Sequence, residues 1–238
     1  MTSLRSALKS ATALAAFSLS FPLASWAEEP LPVVATFSIL GDMVERIGGE
    51  HIALTTLVGP DGDAHVYQPT PKVARSVAEA DVLFLNGLEF EGWLERLAEA
   101  ASFGGAMVVA TKGVVPIAFD DHDDHDDHDE HDDHDDHAGH DHGAFNPHAW
   151  QSLENAVIYA NNIAAGLAQA DPENAGDYYA NRAAFITEVE TLRADIGAMM
   201  KSLPADKRTV VTPHDAFGYF AATYDLTFVA PQGMSTDS

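Results

Sequence analysis

The sequence predicts an α/β protein with parallel sheet, on three observations. Short apolar runs alternate with helix-spaced segments over residues 32–110. Residues 172–203 carry Phe185, Val189, Leu192, Ile196, Met199 and Leu203 at the 4-3-4-3-4 spacing of one helix face. A second strand–helix–strand alternation occupies residues 208–230. The prediction is therefore two α/β lobes joined by a long helix, the second lobe incomplete.

Residues 32–37 (PVVATF) form an apolar run suited to a buried strand. Ser38 is placed to cap a helix over 39–47, which Gly48-Gly49 can stop. Residues 51–58 (HIALTTLV) alternate like a strand, and 59–68 are a turn-rich loop. Thr70-Pro71 opens a helix through residue 80, with Thr as cap and Pro at the first helical position. Residues 81–85 read as a strand, 91–101 as a helix carrying Trp93, Leu94 and Leu97, and 106–110 (AMVVA) as a strand. Residues 152–168 read as a helix capped by Ser152. The stretch at 172–203, about 30 residues, would extend roughly 45 Å, long enough to cross a domain and link two lobes. Strand, helix and strand follow at 208–213, 215–224 and 226–230.

The chain has 238 residues, with 12 Lys+Arg against 37 Asp+Glu and a net charge of −25. Such a chain repels phosphate backbones, which argues against a nucleic-acid partner. Mean hydropathy of −0.08 excludes a polytopic membrane protein. The acidity is concentrated: residues 120–142 hold twelve Asp, one Glu and eight of the 12 His. That repeated Asp-Asp-His segment offers nothing to seed a core, so 120–143 is expected to be a disordered surface loop. Cysteine is absent, which excludes disulfides, thiolate metal sites, Cys nucleophiles and a lipid-modified cysteine anchor. Residues 1–27 have the form of a cleavable export signal: Arg5 and Lys9, an uncharged run over 11–24, then Ala24-Ser25-Trp26-Ala27. The expected organisation is a signal at 1–27, an N-terminal lobe at 28–170, a linking helix at 171–204 and a truncated lobe at 205–238. The expected compartment is a periplasm.

Four histidines lie outside the acidic run: His51, His65, His148 and His214. His51 opens a strand and reads as structural or surface. The other three occupy one topological position, each where a strand's carboxyl end gives way to a helix, the edge at which open α/β sheets bind ligands. Three neutral imidazoles converging on a point suit Zn²⁺, whereas Ca²⁺ and Mg²⁺ prefer oxygen. Pro147 and Pro213 precede two of them and restrict the backbone there. In the loop, His122, His125, His128, His131, His134, His137, His140 and His142 are separated mostly by carboxylates, so they form weak, exchanging sites that concentrate cations.

These stretches resemble the ZnuA-type zinc-binding receptors of bacterial ABC importers. The resemblance is carried by VVATFSILGDMVERIGGE, LVGPDGDAHVYQPTP, ADVLFLNGLEFEGWLERL, the Asp/His loop, NPHAW, DPENAGDYYANRAAFITEVETL and VVTPHDAFGYFAATYDL. It implies two α/β lobes on a rigid helix, metal in the cleft between them, and delivery to a membrane permease by a monomer without chemical turnover. Carried over by motif, His65, His148 and His214 match three His ligands. Manganese-selective relatives use a carboxylate at the third position, so His214 favours zinc. The family's second lobe continues further and often supplies a carboxylate ligand; here water or Asp63 would take the fourth position. Two other readings stay open. A zinc hydrolase could use the same three His, although no HExxH helix or nucleophile elbow is present and Glu89 and Glu91 read as solvated loop and helix start. A metal buffer would act through the loop alone.

Overall fold

The computed structural model describes residues 29–118 and 144–231. The expected signal at 1–27 and the loop at 120–143, with its eight histidines, lie outside the described residues.

Four parallel strands form the larger sheet: β1 (Leu31–Phe37), β2 (Ile52–Val58), β3 (Val82–Leu85) and β4 (Ala106–Val109), in the order β2-β1-β3-β4. The central strands are buried, with Val33, Val34, Ala35 and Phe37 of β1 and Val82, Leu83 and Phe84 of β3 all in the core. Strands covered on both faces read as unbroken apolar runs, which is why these segments lack alternation. Helix α1 (Ser38–Gly48) turns inward the stripe Leu40, Met43, Val44 and Ile47. Its cap differs from expectation: Ser38 is the first helical residue, and the N-cap is Phe37, with no side-chain cap bond. Phe37 is held at the end of β1 by packing on Phe90 and Trp150, so the strand runs straight into the helix.

Helix α2 (Pro71–Ala78) begins as predicted, with Thr70 accepting from the Val73 N–H at 3.4 Å. Helix α3 (Leu94–Ala100) starts three residues later than expected, after the turns that precede it. Helix α4 (Leu153–Ala170), capped by the Ser152 hydroxyl on the Asn155 N–H, buries Tyr159, Ile163 and Leu167. It lies close on the sheet: a Cβ at Gly166 would meet Val108 Cγ2 at 2.7 Å, so only glycine permits this approach.

Helix α5 (Ala175–Ser202) has 28 residues, about 42 Å of rise. Its apolar face is covered unevenly. Phe185 and Val189 are buried against α1 and α4, whereas Leu192 is 48% and Met199 58% exposed. Beyond it, β5 (Thr209–Val211), α6 (Gly218–Tyr224) and β6 (Thr227–Val229) form a two-stranded parallel unit. Strands β5 and β6 expose most of their residues, including Val211 at 71%. No helix of the described residues is long and apolar enough to cross a membrane.

Candidate metal centre

The strand order β2-β1-β3-β4 means that the chain leaves β1 toward one side for β2, then returns to pair β3 on the other. A ligand crevice is expected at the carboxyl ends where that reversal occurs. The cleft found there has a volume of about 450 Å³ and includes Phe37, Phe90, Trp150 and three histidines in its lining.

Each histidine is delivered by a different segment. His65 sits in the loop after β2. The Trp93 indole N–H donates to the Ala64 carbonyl at 2.8 Å, and Asp63 Oδ1 accepts the His65 backbone N–H at 2.8 Å, so the loop is pinned on both sides. His148 precedes the 3₁₀ turn Ala149–Gln151 that leads into α4. His214 follows β5, where Thr212 donates its N–H to the Val229 carbonyl and its hydroxyl to the His214 carbonyl. The two prolines stand beside the second and third of these positions, as the sequence indicated.

The three imidazoles form the group of possible donors found among the described residues, with one ligating atom from each lying within 4.8 Å of the others. His65 Nε2 and His148 Nε2 are 3.1 Å apart. A tetrahedral ion with nitrogens at about 2.0–2.1 Å sets its donors about 3.3 Å apart. The closest pair is therefore near coordination spacing, and the widest needs a side-chain adjustment of at most roughly 1.5 Å. Ring centroids lie 5.1, 5.9 and 5.4 Å apart for His65–His148, His65–His214 and His148–His214.

His148 is 2% exposed, while His65 and His214 are half-buried. Burial, aided by the neighbouring His65 and His214, lowers the His148 pKa to about 3, so its ring is neutral at physiological pH. A neutral imidazole is what a cation needs. Phe90 packs edge-on against His65 at 4.8 Å, and Trp150 packs against His148 at 5.3 Å. These aromatics exclude water and strengthen ion–ligand attraction.

Beneath the histidines lies a polar layer that the sequence reading missed. Glu91, expected to be solvated, is 7% exposed. Its carboxyl accepts from the Thr36 hydroxyl at 2.6 Å and from the backbone N–H groups of Asn86 and Gly87. Burial raises its pKa, against the opposing pull of these donors. Asn86 in turn donates to the Pro147 carbonyl at 2.9 Å and accepts from the Tyr159 hydroxyl at 2.5 Å. The clasp holds a loop in which Gly87, Leu88 and Glu89 all have positive φ. Two successive non-glycine residues in that region are costly and persist only where surrounding bonds compel them. The signal available in sequence was Asn86-Gly87 directly after an apolar strand. Asp63 spends an oxygen on its own loop and is not in the imidazole group. His51 is remote from this group and pairs with Asp177 at 2.9 Å.

Residues 33–238 match the family described as zinc-uptake complex component A, periplasmic. The manganese-binding lipoprotein MntA of Halalkalibacterium halodurans is 32% identical over 202 residues, 84% of this chain and 60% of that protein. The iron-binding protein YfeA of Yersinia pestis is 32% identical over 192 residues, 81% of this chain and 56% of that protein. The chain thus spans somewhat under two thirds of the length of these relatives. The manganese-bound periplasmic metal binding protein of Candidatus Liberibacter asiaticus superposes with a TM-score of 0.70 at 27% identity, covering 85% of this chain and 70% of that one. Zn(II)-bound AdcA of Streptococcus pneumoniae shares the fold, with a TM-score of 0.69 at 22% identity over 87% of this chain and 40% of its own. With its parallel α/β architecture and a match across nearly all of the described residues, the chain belongs to the ZnuA family.

Proposed function

We propose that this chain captures Zn²⁺ in a periplasm and passes it to the permease of an ABC importer, without chemical turnover. The observation that carries the reading is the convergence of His65, His148 and His214, from three separate segments, with donor atoms within 4.8 Å of one another. Support for the class of cargo comes from relatives named for manganese and iron, and support for zinc from the donor set itself. Three uncharged nitrogens bind a borderline cation better than a hard one, and a carboxylate-bearing site would reverse the preference.

In this reading residues 1–27 direct export and are removed. Residues 28–170 and 205–238 supply the two walls of the cleft, and 171–204 link them. The eight loop histidines from His122 to His142 raise the local concentration of zinc and feed the tight site. Binding stabilises the folded, permease-competent form by mass action. Protons compete for the imidazoles, so affinity falls through the histidine range.

The test is competitive calorimetric titration of the chain with Zn²⁺ and Mn²⁺, repeated with His65, His148 and His214 each replaced by Ala. The expected result is one tight Zn²⁺ per chain, lost or weakened at least tenfold in every single variant. Tight binding that survives all three replacements would sink the reading and leave a loop-only buffer. A manganese preference in the unaltered chain would overturn the zinc assignment while keeping the receptor.

A further inference from the structure

His148 is the most buried of the three imidazoles, and among the described residues its outer nitrogen meets Asn146. Asn146 Oδ1 lies 2.9 Å from His148 Nδ1 and 3.0 Å from the His148 backbone nitrogen. The backbone group can only donate. The Asn146 atom that meets it must therefore be the carbonyl oxygen, which settles the orientation of the amide. That oxygen can only accept, so Nδ1 of His148 must carry the proton. The other nitrogen, Nε2, is then a bare lone pair, and it faces the cleft 3.1 Å from His65 Nε2.

Asn146 is itself held rigidly. It is 4% exposed. Its backbone N–H donates to the Ile117 carbonyl at 2.8 Å, and its carbonyl accepts from the Tyr219 hydroxyl at 2.9 Å. Tyr219 belongs to α6, which follows His214, so one phenol ties the Asn146 segment to the part of the chain that supplies another imidazole. The next carbonyl, of Pro147, is taken by Asn86. The side chain that orients the ring thus sits in a backbone anchored at two successive residues.

We propose that Asn146 is a positioning residue: its amide oxygen fixes His148 in the Nδ1–H tautomer, so that Nε2 is presented to the metal before the metal arrives. This rests on the receptor reading above and deepens it. A histidine free to choose its tautomer loses part of its affinity whenever the proton sits on the ligating nitrogen. Partners on the outer nitrogen of a ligating His are worth about 10–100-fold in metal affinity. Asn146 is a neutral acceptor, so it sets the tautomer without adding a charge beneath the ion.

The experiment uses the metal-free chain labelled with ¹⁵N-histidine. Long-range ¹H–¹⁵N correlation reads the tautomer of His148, and chelator competition with Zn²⁺ reads affinity. In the unaltered chain His148 is expected as Nδ1–H. In Asn146→Leu that preference is lost and affinity falls about 10–100-fold. In Asn146→Asp, which keeps an acceptor at the same place, both return. An Nε2–H tautomer in the unaltered chain overturns the proposal whether or not the leucine variant folds. So does an Asn146→Leu variant that weakens binding with the tautomer unchanged, or an aspartate variant that restores neither. If the unaltered chain failed to bind zinc tightly, the receptor reading would fall, while the tautomer measurement would still judge the role of Asn146.

Discussion

Replacing Asn86 with Leu keeps the branching of the side chain and removes its hydrogen bonds. The Asn86 side chain bonds two groups outside its own turn, the Pro147 carbonyl and the Tyr159 hydroxyl, at 2.9 and 2.5 Å; the carbonyl also accepts the Ala149 N–H at 2.8 Å, so the hydroxyl is the group that Asn86→Leu leaves stranded. Asn86 and Tyr159 are fully buried, so water cannot replace the lost partners. One orphaned buried group costs about 1–3 kcal/mol, so Asn86→Leu should destabilise by about 1–3 kcal/mol. Against the roughly 5–15 kcal/mol that holds a domain together, a loss of that size is readily measured. Tyr159→Phe alone orphans the Asn86 Oδ1. Made together with Asn86→Leu, it removes the stranded phenol, so the double variant should recover about 1–3 kcal/mol relative to the summed single costs. Urea unfolding midpoints of the four proteins measure the coupling. Single costs that add to within about 0.5 kcal/mol would show that the two side chains do not share a buried bond, and the polar layer would lose its role beneath the site.

Other expectations follow from the same geometry. His148 has a folded pKa lowered to about 3 from 6.5, so below pH 6.5 the unfolded chain takes up a proton that the folded chain refuses. Its contribution to stability is complete above pH 6.5 and is lost as pH falls toward 3; at pH 4.5 about two units at about 1.4 kcal/mol each, roughly 3 kcal/mol, should be gone. Urea midpoints from pH 7.5 to 4.5 should therefore fall more steeply for the metal-free unaltered chain than for His148→Ala, and parallel profiles would refute the buried neutral ring. Zinc at about 100 times its Kd should stabilise by about 2.7 kcal/mol, raising Tm by about 5–10 °C in calorimetric scans, and His65→Ala should abolish most of that rise at the same zinc concentration. His214→Glu replaces a nitrogen donor with a harder carboxylate and should shift competition titrations from Zn²⁺ toward Mn²⁺. Ser152→Ala removes the α4 cap and should cost about 1 kcal/mol in thermal unfolding while leaving zinc affinity within twofold.

The strands were legible because β1 and β3 are buried on both faces and therefore read as unbroken apolar runs. Caps at Thr70 and Ser152 were legible because a hydroxyl beside a helix start is a local signal. Ser38 looked alike in sequence but is the first helical residue, since Phe37 is fixed by aromatic neighbours 53 and 113 positions away. The face of α5 was legible as a helix, yet periodicity could not say which half of it is covered: Phe185 and Val189 meet α1 and α4, while Leu192 and Met199 do not reach a core. Glu91 carries no local mark of burial; its partners Thr36 and Asn86 come from the ends of two adjacent strands.

The sequence by itself determined the parallel α/β class, the three histidines at strand ends and the exclusion of cysteine chemistry, because each follows from residue type and short-range spacing. Only the tertiary structure decided that those imidazoles meet, that His148 is buried and neutral, and that Asn146, Asn86 and Glu91 stand beneath it. Those properties depend on groups dozens of residues apart being packed into one water-poor place, and no short-range pattern records the distance between side chains that folding brings together.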